Sequence, residues 1–329
     1  MYELKALSPG HKKTIEMTTS RRNFLKTSGL SVAALAIGSH KLMAAADPEI
    51  YIAIQLYTVR DDMKNDPSGT LKSLADMGYK YVEHANYKDR KFYGYTPTEF
   101  KKLLDGYNMN MISGHVQMLP KDYNFSKNDF SDDWKYTVDD AATVGQKYLV
   151  SPWLDDSLRK NMKDFKAYME VFNKSGALCQ KSGMKFGYHN HDFEFTTKID
   201  GELLYDLILG NTDPKLVAQQ LDMGNLYNGG FKAIDVAKKY PGRFELMHVK
   251  DEIPSTTNKR EKYESTILGK GIVGTKEVCD IGRTSGGTKW FIIEQESYQG
   301  MAPLDCSKQD YGIMKGWGYG GSSMSNSKG

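Results

Sequence analysis

Short apolar runs alternate with longer amphipathic stretches from residue 50 onward, and this alternation is the strongest constraint on the fold. Eight runs have the length and composition of strands: 50–59, 79–83, 109–115, 147–151, 184–189, 216–222, 244–250 and 290–294. The stretches between and after them have a helical period: 68–77, 97–106, 132–145, 158–182, 201–209, 230–240, 275–284 and 302–316. Strands separated by helices indicate a parallel sheet, because parallel neighbours need crossover connections.

Eight strand–helix units in about 270 residues match the size of a (β/α)8 TIM barrel. We predict this α/β fold as a single domain over residues 47–317. The alternative is a doubly wound open sheet, which usually carries a glycine-rich turn after its first strand. The turn here reads Tyr-Thr-Val-Arg-Asp-Asp at 57–62, which favours the barrel. Residues 318–329 are rich in Gly and Ser and are expected to form a flexible tail.

Residues 1–46 have the features of an export signal. Arg21 and Arg22 precede Asn-Phe-Leu-Lys, a mildly apolar stretch follows, and the segment ends in Leu-Met-Ala-Ala-Ala at 42–46. This order resembles a twin-arginine signal with its cleavage site. The alternative is an ordinary amphipathic helix at the amino terminus. The resemblance implies a periplasmic protein, either free or membrane-attached.

Charge and composition narrow the class of partner. The formal net charge is +3, but residues 1–46 hold seven Lys/Arg and two Asp/Glu, which leaves 37 basic against 39 acidic residues and a net charge of −2. A body of this charge argues against a nucleic-acid partner. Outside the signal no apolar run approaches the ~18 residues of a stable transmembrane segment. Three cysteines are too few for a disulfide framework. We expect a small-molecule sugar substrate and leave homo-oligomer formation open.

Histidines and carboxylates lie at or beside the carboxyl ends of the predicted strands. They are Glu83, His84, His115, His189, His191, Asp222, His248 and Glu294. These ends converge on one face of a (β/α)8 barrel, and that face holds the active site. The alternative is that the polar side chains only solvate the barrel mouth. A His/Asp/Glu set without cysteine favours one divalent metal ion, such as Mn2+, Co2+, Mg2+ or Zn2+.

Such a metal ion suits sugar chemistry. It can hold two adjacent oxygens of a sugar and polarise a carbonyl, so that a positioned carboxylate can move the proton of the neighbouring carbon. Glu294 and the histidines of the fifth strand lie three strands apart in an eight-strand ring. They are therefore expected to flank a substrate from two sides.

Motifs along the chain resemble those of the xylose-isomerase-like barrel superfamily. That superfamily contains sugar phosphate isomerases and epimerases, inosose dehydratases and family-2 apurinic endonucleases. The strongest pieces are Gln-Leu-Tyr-Thr-Val-Arg-Asp at 55–61, Tyr-His-Asn-His-Asp-Phe-Glu-Phe at 188–195, Gln-Leu-Asp-Met-Gly-Asn at 220–225, His-Val-Lys-Asp at 248–251, Leu-Gly-Lys-Gly-Ile-Val at 268–273 and Ile-Glu-Gln-Glu at 293–296. Their order and spacing are specific for the superfamily but not for a substrate.

The resemblance also implies a metal shell. Sugar epimerases of this superfamily hold one divalent metal with Glu, Asp, His and Glu from strands five to eight. The last three positions match Asp222, His248 and Glu294. At the first position His189 stands where a Glu is expected, and Glu194 follows five residues later. One of these two is expected to complete the metal shell, and the other, with His191, to transfer protons. Glu294 is expected to act from the opposite side of the substrate.

Further residues are candidates for contact with the substrate. Lys250 shares the inward face of strand seven with His248, where it either stabilises an enolate or forms a surface ion pair with its acidic neighbours at 251–252. Trp153 either stacks on a sugar ring or packs between a helix and a strand. The expected substrate-binding set is Tyr57, Arg60, Glu83, His115 and Trp153.

These features predict a metal-dependent isomerase or epimerase. It would abstract a proton beside a metal-bound carbonyl of a non-phosphorylated sugar or keto-sugar, since export argues against a sugar phosphate. A metal-dependent lyase or dehydratase on a keto-sugar or keto-glycoside is the alternative, because a histidine of the fifth strand can protonate a leaving oxygen. A non-catalytic carbohydrate-binding barrel of the cell envelope is the second alternative.

Overall fold

The computed structural model of the chain describes residues 49–256 and 262–320. Eight parallel strands close into a barrel: β1 (Tyr51–Gln55), β2 (Tyr81–His84), β3 (Asn110–His115), β4 (Tyr148–Ser151), β5 (Lys185–His189), β6 (Val217–Asp222), β7 (Phe244–Val249) and β8 (Trp290–Ile293). Each strand pairs with the next, and β8 closes on β1 in the register Tyr51↔Trp290 to Ile54↔Ile293. The predicted (β/α)8 barrel is confirmed.

Helices surround the barrel in the order α1 (Arg60–Asn65), α2 (Pro67–Met77), α3 (Pro97–Gly106), α4 (Asp132–Val144), α5 (Met162–Lys181), α6 (Leu204–Asn211), α7 (Asn225–Asn228), α8 (Ala233–Lys239), α9 (Thr275–Ile281) and α10 (Pro303–Gly316). Several begin at side-chain caps that the sequence supplies. Thr96 forms a capping box with Glu99 before α3, and Ser131 and Asn161 cap α4 and α5. Such caps satisfy amide groups that have no partner inside the helix.

The first strand is shorter than predicted. β1 ends at Gln55, and a 3-10 turn over Leu56–Val59 leads directly into α1. The Gln55 side chain accepts a hydrogen bond from the Tyr57 amide at 3.1 Å, which closes the turn. Leu56 and Val59 of this turn are buried, and this is why the sequence pattern extends the strand by four residues.

Two layers of apolar side chains position the site. Small and branched residues from six of the eight strands fill the barrel interior, among them Ala53, Ile112, Val150, Ala218, Leu246 and Ile292. Larger residues fill the space between the strands and the helices. Because both layers are apolar, the polar strand-end side chains are gathered at the carboxyl mouth of the barrel.

The folded domain extends beyond the predicted boundary at residue 317. Tyr319 is buried, its ring lies 4.8 Å from that of Phe291, and its hydroxyl donates to the Asp280 carboxylate at 2.8 Å. The predicted flexible tail therefore cannot begin at residue 318. The rest of that tail, residues 321–329, and the predicted export signal, residues 1–46, lie outside the described residues. No helix among the described residues is both long and apolar enough to cross a membrane.

Candidate active site and metal centre

Three predicted metal ligands meet at the carboxyl mouth. Asp222 ends β6, His248 is in β7 and Glu294 follows β8, and one ligand atom of each lies within 4.8 Å of the others. All three side chains are buried. The parallel register explains the convergence, since Asp222 pairs with His248 in the sheet.

Asp222 provides the test of whether these residues fit a metal. Its Oδ1 atom accepts hydrogen bonds from the amides of Gly224 and Asn225, both at 2.8 Å. Its Oδ2 atom is buried and has no hydrogen-bond partner among the described residues. His248 Nδ1 and Lys250 Nζ both stay 3.7 Å from that oxygen. A buried carboxylate oxygen is costly unless a donor or cation satisfies it, so the residues present fit a bound divalent ion.

His248 is oriented for metal binding by two carboxylates. Its Nε2 atom lies 2.5 Å from Glu83 Oε1, and its Nδ1 atom lies 3.1 Å from Glu294 Oε2. Burial alone lowers the pKa of His248, but Glu294 and Glu83 outweigh it and hold the pKa well above its ordinary value. A carboxylate behind an imidazole is the usual support of a metal-bound histidine. The Nδ1 atom is therefore the one that faces Asp222 and Glu294.

Glu83 lies beneath the mouth rather than in it, which corrects its prediction as a substrate contact. It is fully buried, and its two oxygens are hydrogen-bonded by residues of four strands: Gln55, Ser113, Gln220 and His248. Burial raises the pKa of Glu83, but His115 and His248 outweigh it and hold the pKa well below its ordinary value. Glu83 is thus a buried anion that holds the imidazoles in place.

His115 belongs to the same buried layer. Its Nε2 atom lies 2.7 Å from Gln220 Oε1 and 3.2 Å from Glu83 Oε1. Its ring is nearly parallel to that of His248, with 5.3 Å between centroids. His115 is predicted to contact the substrate, but since only 12% of its side chain is exposed, only one edge of its ring reaches the mouth.

The two candidates for the first ligand point in different directions. His189 faces inward, with Nδ1 3.0 Å from Gln220 Oε1 and Nε2 4.0 Å from Asp222 Oδ2. Glu194 is fully buried, bonded to the Tyr188 hydroxyl and to the His191 amide at 2.9 Å. Because successive side chains of a strand point to opposite faces, Tyr188 draws Glu194 away from the barrel interior. The structure therefore places His189, and not Glu194, beside the cluster.

His191 and Trp153 form one wall of the mouth. The His191 ring centroid lies 4.9 Å from that of His189 and 4.9 Å from that of Trp153. Its Nδ1 atom is buried and has no partner among the described residues. Burial lowers the pKa of His191 to about 4, so the imidazole is neutral near pH 7. Trp153 also contacts Phe193, at 4.6 Å between centroids, so its ring contacts are with the loop after β5.

Lys250 points into the site rather than toward the surface. Its side chain is 2% exposed, and Nζ donates to Asn225 Oδ1 at 2.9 Å, to Glu294 Oε2 at 3.4 Å and to Glu296 Oε1. Burial alone lowers the pKa of Lys250, but Asp222, Glu296 and Glu294 outweigh it and hold the pKa well above its ordinary value. The alternative of a surface ion pair is therefore wrong.

Tyr57 and Arg60 lie on the opposite wall, above β1. The Arg60 guanidinium donates to the Tyr298 hydroxyl at 2.7 Å and to the Glu296 carbonyl at 3.2 Å. It also lies 4.7 Å from the Tyr57 ring centroid. Tyr57 is 41% exposed, so its ring is accessible to a bound molecule.

Sequence reasoning missed four polar residues of the site: Gln55, Gln220, Asn225 and Glu296. A signal existed for Gln220, which precedes Asp222 by two residues and so shares its inward face. Glu296 bears the same relation to Glu294, although β8 has already ended there. Conversely, the sequence pattern places His84 with the site histidines, but its side chain points away from the barrel interior, with its ring 4.8 Å from that of Phe92.

The parallel barrel and the acidic and imidazole groups at its carboxyl mouth define the class of protein. The chain belongs to the xylose isomerase-like TIM barrel family, whose family model matches residues 71–316.

Curated relatives carry the name inosose dehydratase. The one from Clostridium perfringens is 34% identical over 168 residues, which cover 51% of this chain and 55% of the relative. The chain thus spans about half the length of the curated relatives it matches. This finding corrects the predicted isomerase or epimerase activity, since the name shared by these relatives is that of a dehydratase.

Solved structures share the fold. A sugar phosphate isomerase/epimerase from Parabacteroides distasonis superimposes with a TM-score of 0.69 at 23% identity, covering 83% of this chain and 95% of that one. The IOLI protein, solved with a zinc atom, has a TM-score of 0.63 at 11% identity, covering 82% of this chain and 98% of that one. At these identities the likeness concerns the fold alone.

Proposed function

We propose that this protein is a metal-dependent dehydratase that removes water from a keto-sugar or a cyclic polyhydroxy ketone. The observation that carries the proposal is the pairing of the Asp222–His248–Glu294 cluster with the neutral, unpartnered imidazole of His191 beside it. The relatives named inosose dehydratase support the same reaction class.

The metal would be held by Asp222 Oδ2, His248 Nδ1 and Glu294, with His189 beside them as the fourth side chain. When bound, a divalent ion polarises a ketone oxygen and so acidifies the neighbouring C–H bond. Glu83 behind His248 keeps the imidazole aimed at this position.

Lys250 supplies a fixed positive charge at the same place. Its ammonium group is held by Asn225, Glu294 and Glu296. When a proton leaves the carbon next to the ketone, negative charge develops on the ketone oxygen. A buried cation that is already oriented stabilises this charge without reorganisation.

His191 carries the proton in this proposal. Its Nδ1 lone pair takes the proton from the carbon next to the ketone, and the C–H electrons form the enolate. The enolate then expels the hydroxyl group from the β carbon, which is the second carbon from the ketone carbon. The His191 imidazolium protonates that leaving oxygen. One water leaves, a carbon–carbon double bond forms beside the ketone, and His191 returns to its neutral state.

Both walls of the mouth carry aromatic side chains of the kind that contact sugar rings. Trp153 and Phe193 form an aromatic surface on the side of His191, and Tyr57 presents an exposed ring on the side of Arg60. In this proposal a cyclic polyhydroxy ketone binds between these two walls.

The test is an assay of the purified chain with inosose and with open-chain keto-sugars in D2O, with metal added or removed by a chelator. The expected result is metal-dependent loss of water, seen by NMR as an unsaturated or rearranged ketone. His191→Asn is expected to keep its metal and to lower kcat by about 100- to 10,000-fold. Asp222→Asn is expected to lose both metal and turnover.

Two results would overturn the proposal. Deuterium incorporation into recovered substrate without any loss of water would mean proton exchange alone. Full turnover in His191→Asn, with normal metal content, would remove His191 from the reaction. Circular dichroism of His191→Asn verifies that the variant folds, so that a folding defect is not read as a catalytic one.

We also propose that the protein is exported by the twin-arginine route, on the support of Arg21, Arg22 and the Ala-rich end of residues 1–46. Replacing Arg21 and Arg22 by lysine is expected to leave the precursor in the cytoplasm. Cell fractionation with an immunoblot measures this, and an unchanged periplasmic yield would contradict the assignment.

A further inference from the structure

A cavity lies at the opposite end of the barrel from the candidate active site. It has a volume of about 750 Å³ and is formed around the amino ends of the strands. Its lining includes Tyr51, Lys147, Lys185, Lys215, Lys289 and Trp290. Tyr51, Lys185 and Trp290 begin β1, β5 and β8, while the other three lysines come just before β4, β6 and β8. This end of a (β/α)8 barrel ordinarily contributes stability rather than binding.

Positive charge is concentrated in this cavity, which we call the lysine cavity. Lys147 and Lys185 are neighbours in the sheet, because the Lys185 amide donates to the Lys147 carbonyl at 2.9 Å. Lys185 forms an ion pair with Glu245, and Glu49 also lines the cavity.

The remaining lysines form no ion pair among the described residues, although the Glu49 carboxylate, which accepts a hydrogen bond from the Tyr51 hydroxyl, lies in the same cavity lining. Over residues 49–256 and 262–320, the ammonium groups of Lys147, Lys215 and Lys289 form neither a hydrogen bond nor an ion pair, and all three side chains are exposed. Like charges gathered in this way repel one another. Several unpaired ammonium groups beside one cavity match a ligand with several negative groups.

The wall of the lysine cavity is aromatic. The rings of Tyr51 and Trp290 stack with 4.5 Å between centroids and 21° between planes. Tyr81 contacts both rings edge-on, at 5.2 and 5.0 Å. Because Tyr51 and Trp290 are only partly buried, they present apolar surface next to the lysines. Such a surface receives the C–H face of a sugar ring, as aromatic side chains do in many ligand pockets.

We propose that the lysine cavity binds an acidic carbohydrate, meaning an oligosaccharide that carries carboxylate or sulfate groups. The lysines act as separate point charges on flexible stems, which suits several spaced anionic groups better than one planar anion. A neutral sugar would leave the ammonium groups unpaired, and a small inorganic anion would leave the aromatic surface uncovered. This site is separate from the one that the proposed function uses.

The experiment is isothermal titration calorimetry of the full chain with four probes. They are oligogalacturonate for carboxylates, a sulfated dextran oligomer for sulfates, a neutral maltooligosaccharide of similar length, and inorganic sulfate. A chelator is present, so that binding at the metal cluster does not contribute. We expect one or both acidic probes to bind and the neutral probe not to bind. We also expect the affinity to fall as salt rises from about 20 to 300 mM, because exposed charges are screened.

Paired charge reversals locate the binding. The double variant Lys215→Glu with Lys289→Glu is expected to bind the acidic probe at least about tenfold more weakly. Lys166→Glu with Lys308→Glu makes the same change in net charge at exposed positions away from the cavity, and is expected to leave the affinity unchanged. Melting temperatures verify that both double variants fold.

Three outcomes would overturn the proposal. The first is that neither acidic probe binds at low salt. The second is an equal loss of affinity for the acidic probe in both double variants, which would mean that net charge alone attracts the probe. The third is equal binding of inorganic sulfate and the sulfated oligomer, which would mean that the aromatic surface takes no part. Selectivity between the carboxylated and the sulfated probe identifies the anionic group.

Discussion

At the scale of single residues, Glu83 shows how a charge buried beneath a site supports one of the ligands of that site. Its carboxylate lies 2.5 Å from His248 and 3.2 Å from His115, and it has no exposed surface. Buried anions are stable only when donors surround them, and four strands supply those donors here. The side chain therefore acts through the imidazole of His248.

Replacing Glu83 by Gln is expected to lower metal affinity by about 10- to 100-fold, because His248 loses the carboxylate behind its ring. Competition with a chromophoric chelator measures this affinity. Glu202→Gln, an exposed change of the same kind, serves as the control and is expected to have no effect. An unchanged affinity in Glu83→Gln, in a folded protein, would show that Glu83 does not orient the ligand.

His189 and Glu194 make a second comparison at this scale. His189→Ala is expected to reduce metal content, since its Nε2 atom lies 4.0 Å from Asp222 Oδ2 beside the cluster. Glu194→Gln is expected to keep metal, because both of its oxygens are bonded to Tyr188 and to the His191 amide. Metal analysis by mass spectrometry decides between them. Loss of metal in Glu194→Gln alone would reverse the assignment.

At the scale of secondary-structure elements, close packing of helices on the barrel requires small residues at particular contacts. Gly176 of α5 lies against the chain just before β6, where a Cβ atom would stand 2.5 Å from the Leu216 carbonyl oxygen. No real side chain approaches a backbone oxygen so closely. The glycine therefore sets the distance between this helix and the sheet.

Gly176→Ala is expected to destabilise the protein by about 1–3 kcal/mol, since α5 must move away from the barrel to accept the methyl group. Gly210→Ala in α6 is the matched control. A Cβ atom there meets nothing within 4 Å, so the change is expected to be neutral or to stabilise by up to about 1 kcal/mol through helix propensity. Urea unfolding measures both. Equal effects at the two positions would contradict the packing argument.

At the scale of the whole molecule, buried neutral histidines make stability depend on pH. His84 is fully buried against Phe92, and its two ring nitrogens have no partner among the described residues. Burial lowers the pKa of His84 from 6.5 to about 3. The unfolded chain therefore binds a proton below pH 6.5 that the folded chain does not bind. This part of the stability is complete above pH 6.5 and is lost as the pH falls toward 3.

Between pH 7.5 and 5, His84 is expected to account for about 2 kcal/mol of lost stability. His84→Phe keeps a ring in the same pocket but cannot bind a proton. The difference in unfolding free energy between the two pH values is therefore expected to shrink by about that amount. Urea unfolding of both proteins at both pH values measures it, and the comparison at pH 7.5 corrects for any change in packing. An unchanged difference would rule out His84 as a source.

Local pattern was enough to predict the barrel and the face that holds the site. Strand and helix periods depend on neighbouring residues, and a closed parallel barrel places every strand's carboxyl end on one side. For that reason Asp222, His248 and Glu294 could be placed with the other strand-end polar residues before any contact was known, whereas their grouping as metal ligands was implied by the family resemblance. The length of β1 could not be predicted, since the buried turn at Leu56–Val59 is as apolar as a strand.

What only the tertiary structure decided is the environment of each polar group. The same spacing permits either His189 or Glu194 to enter the barrel, and the contact of Glu194 with Tyr188 settles which one does. Glu83 occupies a strand end like Glu294, but its oxygens are taken by donors up to 165 residues away in sequence. Sequence periodicity reports which way a side chain points, whereas hydrogen bonding and burial depend on residues that only the folded chain brings together.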